Sequence, residues 1–230
     1  MNKIAVFGAS GRTGKLFTEL ALNNGFQMKV LVRDPSRLIF RHSNLQVIQG
    51  DIANSLKVEE TVKATEAVVY LIAWGKSYSP KLKRTSMRNI LRSMGQNNVK
   101  RLILLASLPF GILDPNDKPD FMNKVMMFIV KNLTGPIGED ERVHVDLIKH
   151  SEMDWTVVRS PFLNDQPSQG KYRVGYLDAD TGKGAIRSDV AAFLLDVLMN
   201  GKYIRQMPII SSLHSPLRTA SFFIDIHNAK

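Results

Sequence analysis

The sequence predicts an α/β protein with a doubly wound, mainly parallel sheet, folded as a single domain over residues 1–230. Three observations point that way. The chain opens on an apolar run, Lys3 to Phe7, rich in strand formers; glycines follow at positions 8, 11 and 14, and Lys15 to Leu22 then reads as a helix. Short apolar runs next alternate with amphipathic stretches in the order β-α-β-β-α-β-α-β, with crossovers long enough for parallel pairing. Finally, 230 residues with 44% apolar and 23% charged composition suffice for one large, well-buried domain, and no linker, internal repeat or low-complexity segment divides the chain.

The first element carries the most chemistry. Strand, glycine turn and helix form the context in which a dinucleotide-binding loop is expected. In Val6-Phe7-Gly8-Ala9-Ser10-Gly11-Arg12-Thr13-Gly14, Gly8 allows the tight turn, Gly11 lets the backbone approach a pyrophosphate, and Gly14 lets the helix pack close to the strand. The helix N-terminus offers free N–H groups and a partial positive charge to phosphates. The spacing is G-x-x-G-x-x-G rather than G-x-G-x-x-G, so the motif is only moderately specific, and an ordinary glycine-rich strand-to-helix turn is the plainer reading.

Asn24-Gly25 is a natural stop for this helix, and Phe26 to Val32 gives the second strand. At its tip an acid would bond a ribose 2′-hydroxyl, whereas an arginine accommodates a 2′-phosphate. Arg33 comes first, Asp34 only after it, Arg37 follows, and Arg12 sits in the glycine loop. Guanidiniums bind phosphate oxygens bidentately, which favours NADP(H) over NAD(H); a helix-capping turn with solvated arginines is the alternative. Leu45 to Ile48 is a third strand, ending at Gly50-Asp51, where Asp51 either bonds the adenine amino group or caps the helix from Asn54. Ala67 to Ala73 is a continuous apolar strand, with Trp74-Gly75 expected beside the cofactor at the carboxyl edge. A basic helix from about Pro80 to Met94 leads to a fifth strand, Arg101 to Ala106, ending in Ser107-Leu108-Pro109.

Further on, Phe121 to Val130 is rich in methionine and aromatics. At helical spacing such a stretch is most often a core or packing helix, yet it follows the loop 114–119 at the carboxyl edge, where open α/β sheets bind substrates. Methionine-rich surfaces adapt to varied apolar ligands, so a lid over a flat conjugated substrate is the functional alternative. Asp154 to Arg159 is a sixth strand, Tyr172 to Tyr176 a short extra one, and Ser188-Asp189-Val190 is read as the cap of a helix to Met199. From Pro208 onward the tail is too apolar to be free, and either folds back or contacts a subunit.

Composition narrows the function classes. The absence of cysteine excludes disulfides and thiolate chemistry, and the five histidines show no metal-ligand spacing, so no metal is expected. His144 and His150 do not share a helical face, although His144 could face the cleft. The longest apolar run is far short of the roughly 18 residues of a spanning helix, and the immediate start of the first strand leaves no room for a signal peptide, so a cytoplasmic location is expected. The net charge of +10 is scattered, with Arg84, Arg88 and Arg92 on one helical face and no interleaved aromatics. A solvated surface is favoured over steering of an anionic ligand, and nucleic acid ranks third.

Several stretches together resemble the atypical short-chain dehydrogenase/reductases, which carry a Rossmann-like NAD(P)-binding fold. They are the glycine loop, Val32-Arg33-Asp34-Pro35-Ser36-Arg37-Leu38, Gly50-Asp51, Asp154 to Pro161, and Ile186-Arg187-Ser188-Asp189-Val190-Ala191. Within that group the chain is most similar to the biliverdin reductase B / flavin reductase type, through the arginine tip, the serine after the fifth strand, and Asn164-Asp165-Gln166-Pro167 followed by Gly170-Lys171-Tyr172. NmrA-like redox regulators share much of the pattern. The resemblance implies that Gly8, Ser10, Gly11, Arg12 and Thr13 hold the pyrophosphate region, that Arg33 and Arg37 take the 2′-phosphate, and that Asp51 and Ile52 flank the adenine. It also implies that Ala73 and Trp74 pass near the nicotinamide ribose, that Ser107 lies near the nicotinamide as the candidate catalytic residue, and that Pro161, Phe162 and Leu163 run along the ring. Substrate-side elements fall in about 108–150 and 161–230.

The chain departs from the wider superfamily in its expected acid–base pair. A Tyr-x-x-x-Lys pair serves there as proton donor, but the helix preceding Ser151 has no tyrosine in Gly138–Leu147, and Glu141 stands where the lysine is expected. Hydride transfer to a small conjugated acceptor such as a flavin, quinone or bilin needs chiefly ring positioning. The expectation is therefore an NADP(H)-dependent reductase lacking that pair, monomeric or a small homo-oligomer; the alternative is a non-catalytic NADP(H) sensor of the NmrA-like kind.

Overall fold

The computed structural model describes residues 2–39, 41–72, 80–108, 112–134, 136–168 and 170–212. Strand β1 (Lys3–Phe7) is buried on both faces. Ile4 and Val6 enter one apolar cluster, while Ala5 and Phe7 enter the other. This two-sided burial is why the run is continuously apolar rather than alternating. Helix α1 (Arg12–Asn23) follows, ending at Asn24 as expected. Next come β2 (Gln27–Val32), a short 3-10 turn at Pro35–Arg37, the edge strand β3 (Leu45–Gln49), α2 (Ser55–Val62) and β4 (Ala67–Tyr70). Helix α3 (Pro80–Gln96) leads to β5 (Arg101–Ser107), then α4 (Phe121–Thr134), α5 (Pro136–Lys149) and β6 (Asp154–Ser160). The last elements are β7 (Phe162–Asn164), β8 (Tyr172–Gly175), β9 (Gly184–Ile186), α6 (Arg187–Met199) and β10 (Ile209–Ser212).

The main sheet has eight strands in the order β3-β2-β1-β4-β5-β6-β10-β8, parallel except for β8, which runs antiparallel to β10. Strands β7 and β9 form a separate parallel pair. Helices α1 and α6 cover one face through Phe17, Ala21, Phe193 and Val197, and α2, α3 and α5 cover the other through Val58, Met87, Ile90 and Ile148. The chain is thus doubly wound, and the order of strands reverses between β1 and β4, where open α/β sheets bind their ligands beyond the carboxyl ends.

Some expectations are corrected. Helix α6 begins at Arg187 with Ile186 at the cap position and no side-chain cap, because β9 runs directly into it. Ser188 therefore lies inside the helix, and Asp189 instead accepts a hydrogen bond from the Ser168 hydroxyl. The helix at 55 is capped by Asn54, which accepts from the N–H groups of Leu56 and Lys57 at 3.0 and 3.3 Å. Asp51 does not cap it; its carboxylate accepts from Ala53 N–H at 2.8 Å. Strand β4 ends at Tyr70, with Leu71 and Ile72 already beyond it. Ile209–Ser212 folds back into the sheet beside β6, and the apolar residues from Leu213 onward lie outside the described residues.

Candidate functional site

The loop from β1 to α1 has the geometry of an anion cradle. Gly8 has φ +95°, and a Cβ there would meet the Leu71 backbone at 2.7 Å. A Cβ on Gly14 would lie 2.0 Å from the Gly8 carbonyl oxygen, so helix and turn touch backbone to backbone. Gly11 stands at the cap position of α1 with no side-chain cap, and no acid lies in the first turn. The first N–H groups are therefore directed at the space beyond the carboxyl end of β1, an arrangement suited to a pyrophosphate. Ser10 and Gly11 are half-buried, Thr13 is buried and Arg12 is exposed.

The tips of β2 and β3 lie beside this loop. Val32 pairs with Gln49, and Gly50 N–H donates to the Val32 carbonyl at 2.9 Å, which brings Arg33 and Asp51 to neighbouring strand ends. Arg33 and Arg37 are both exposed. The Asp34 carboxylate is turned away into its own loop, accepting from Ser36 N–H at 3.0 Å and from the Ser36 hydroxyl at 2.7 Å. These Ser36 bonds hold its carboxyl below the usual range. Ile52 is buried, and Asn89 of α3 donates to its carbonyl at 3.4 Å and to that of Ala53 at 3.1 Å. Ala73 and Trp74 lie outside the described residues.

Ser107 ends β5, half-buried, in register with Ser160 on β6. Pro161, Phe162 and Leu163 continue from β6 into β7. Beside them lies an apolar groove of about 100 Å³, lined by Leu108, Met122, Asn123, Met126, Met127, Pro161, Phe162, Leu177, Thr181, Gly182 and Lys183. Helix α4 forms one wall while leaving much of its apolar surface in solvent: Phe121 is 77% exposed and Met122 63%. The methionine-rich stretch is therefore not a core helix. His144, by contrast, is wholly buried with its ring edge-on to Tyr70 at 5.0 Å, and belongs to the core rather than the cleft.

Several residues that organise the site do so through partners remote in sequence, which no local pattern announces. Arg159 pairs with Asp117 and also donates to the carbonyls of Met207 and Ile112, at 2.7 and 2.9 Å. Asp117 accepts in turn from Leu177 N–H at 2.8 Å, fixing one wall of the groove. Asp165 lies 2.8 Å from Arg187 and 3.4 Å from Arg12. Arg173 and Thr181 hydrogen-bond the Asp178 carboxylate; burial raises its pKa, but these bonds together bring it below the usual carboxylate range. At the opposite edge Arg101 donates to the carbonyls of Asp154 and Lys202, at 2.8 and 3.0 Å, and burial lowers its pKa to about 10. It stays charged at neutral pH. Among the described residues no group of three or more His, Asp or Glu side chains is placed to hold a metal, and no helix is long and apolar enough to cross a membrane.

Comparison with known proteins agrees with this geometry. A family model described as NAD(P)H-binding matches residues 8–201. An uncharacterised chloroplastic protein of Arabidopsis thaliana is 23% identical over 228 residues, covering 94% of this chain and 79% of its own. Among solved structures, a short-chain dehydrogenase/reductase of Veillonella parvula in complex with NADP superposes with a TM-score of 0.74 at 20% identity, over 92% of this chain and 94% of that one. An anaerobilin reductase of Escherichia coli O157:H7 superposes with a TM-score of 0.76 at 17% identity, over 94% of this chain and all (100%) of that one. At these identities the likeness is one of fold.

Proposed function

The chain belongs to the NAD(P)H-binding family, and from that premise we propose that it is an NADP(H)-dependent reductase passing hydride to a small conjugated acceptor, such as a flavin, quinone or bilin. The observation that carries the reading is the apolar groove at Leu108, Pro161 and Phe162, one residue from Ser107 and at the same edge of the sheet as the glycine loop.

The residues present fit a dinucleotide. The uncapped N-terminus of α1 receives the pyrophosphate, and the close contact at Gly14 keeps side chains out of that space. Arg33 and Arg37 are exposed at the strand tip and suited to a 2′-phosphate, while Asp34, the residue that would otherwise select a 2′-hydroxyl, is engaged by Ser36. This supports NADP(H) over NAD(H). When bound, the cofactor supplies a hydride, and one proton from solvent completes the two-electron reduction. The chain contributes alignment: Ser107 offers a hydroxyl at the strand end, and the Met-lined groove excludes water from a flat ring. Helix α5 carries no tyrosine and has the buried Glu141 at the position expected for lysine, which supports an acceptor needing no strong proton donor over a simple ketone. A cytoplasmic location and action on a small molecule rather than a nucleic acid complete this reading.

A sensor working through protein partners is the second reading. The exposed stripe of Arg84, Arg88 and Arg92 and the exposed apolar residues of α4 favour it. NADPH oxidation against a panel of flavins, quinones and bilins decides between them. Turnover of at least one acceptor supports the reductase; turnover of none, with tight NADP(H) binding intact, sinks it in favour of the sensor.

A further inference from the structure

We propose that Lys183 is a specificity-determining residue which selects acceptors bearing an anionic group beside their apolar ring. The inference rests on reading the groove as the acceptor site and names the substrate class that site takes.

The charge balance of the groove carries the inference. Among the residues lining it, Lys183 alone is charged, and it is exposed at the mouth. The other polar side chains there are already engaged. Asn123 donates through Nδ2 to the Asp178 carbonyl at 3.0 Å, and the Thr181 hydroxyl donates to the Asp178 carboxylate at 3.1 Å while accepting from Asp178 N–H at 3.0 Å. Asp178, the acid close at hand, is itself paired with Arg173. Among the described residues Lys183 has no ion pair or hydrogen bond to a side chain, so its ammonium remains available to a ligand. A ring lying against Met126, Met127 and Phe162 would thus meet one cation at the rim and no carboxylate in the lining. Such a lysine acts as a point charge on a flexible stem, recognising a phosphate, sulfonate or carboxylate without demanding one geometry. The overall charge of +10 adds steering of the same sign.

Riboflavin and FMN share one ring system and differ by a phosphate, which makes them a matched pair of probes. Titrating each into the NADP⁺-saturated protein, with flavin fluorescence as the readout, should show FMN bound about fivefold more tightly, the scale of an exposed ion pair. The preference should shrink as salt rises, fall to near unity in Lys183→Ala, reverse in Lys183→Glu and return in Lys183→Arg. Steady-state kcat/KM for the two flavins should follow the same ratios. Since Lys183 is exposed, these variants should keep the wild-type urea midpoint. An FMN preference that survives Lys183→Ala, or no FMN preference in the wild type, overturns the proposal. If neither flavin binds, 1,4-naphthoquinone and its 2-sulfonate serve as the matched pair, and failure of both pairs to bind overturns it too. Failure of NADP⁺ itself to bind would be a different result, sinking the cofactor reading instead.

Discussion

Arg159 and Asp117 form a bidentate ion pair closed to solvent, with Nη1 2.5 Å from Oδ2, Nη2 2.9 Å from Oδ1, and side-chain exposures of 0% and 1%. The pair joins β6 to the loop after β5, and both partners are satisfied further by backbone groups of Met207, Ile112, Asp114 and Leu177. Removing one partner leaves the other charge buried and uncompensated. Arg159→Met or Asp117→Leu should therefore cost about 3–5 kcal/mol, read as a fall in the urea midpoint. The double replacement should recover part of that loss. Single variants within about 1 kcal/mol of wild type would show that the pair is not what holds this loop.

Two glycines should respond to alanine with opposite signs. Gly14→Ala drives a methyl onto the Gly8 carbonyl, a backbone atom that cannot yield cheaply, so both stability and NADPH affinity should drop. Gly95 sits exposed near the end of α3, where an added Cβ would meet nothing within 4 Å. There Gly95→Ala should stabilise by up to about 1 kcal/mol, the helix-propensity difference. A cofactor titration and a thermal melt on both variants check this; equal binding by Gly14→Ala would remove the loop from the cofactor site.

The contrast between these two cases reflects what a sequence can express. Lys3–Phe7, the glycine spacing and the helix after it are local, and their periodicity shows directly which faces are buried. Strands β7, β9 and β10 hold three or four residues each, too few for a period to emerge. Arg159 and Asp117 stand 42 residues apart, and Arg12 and Asp165 stand 153 apart, so only the closed fold brings them together. The methionine-rich helix is ambiguous in sequence because an apolar stripe looks alike whether it meets a core or a groove; its exposure decides the matter.

Cofactor choice should turn on the arginines at the β2 tip. Arg33→Ala should lower NADPH affinity about tenfold while changing NADH affinity little, on the scale of one charge-assisted phosphate contact. Preference for NADPH that persists in this variant would place the 2′-phosphate elsewhere. Arg12 has a competitor in Asp165, 3.4 Å away and more than half exposed. Asp165→Asn should accordingly tighten NADPH roughly two- to fivefold at low salt, the range of an exposed pair, with the gain fading as salt screens it.

Ser107 is half-buried at the end of β5, beside Leu108 of the groove, and the proposed reading gives its hydroxyl to the nicotinamide amide or the acceptor. Ser107→Ala should lower kcat with a panel acceptor by about tenfold, the loss of one hydrogen bond made during the reaction, and leave NADPH affinity nearly unchanged. Wild-type kcat in this variant would reduce Ser107 to a structural strand end.

The groove wall on α4 allows the acceptor site to be tested without disturbing the core. Phe121 is 77% exposed and Met126 39% exposed, so neither contributes a fully buried side chain to stability. Truncating both, in Met126→Ala with Phe121→Ala, should leave the urea midpoint within about 0.5 kcal/mol of wild type, as expected for surface changes. Of the two, Met126 lines the groove, and loss of about 60 Å² of contact there corresponds to roughly 1.5 kcal/mol, or a KM raised about tenfold. NADPH affinity should not move, because the glycine loop and the arginine tip lie on other elements. A KM unchanged for every acceptor that turns over would exclude α4 from the acceptor site, and a collapse of the urea midpoint would show that its side chains hold the fold together after all.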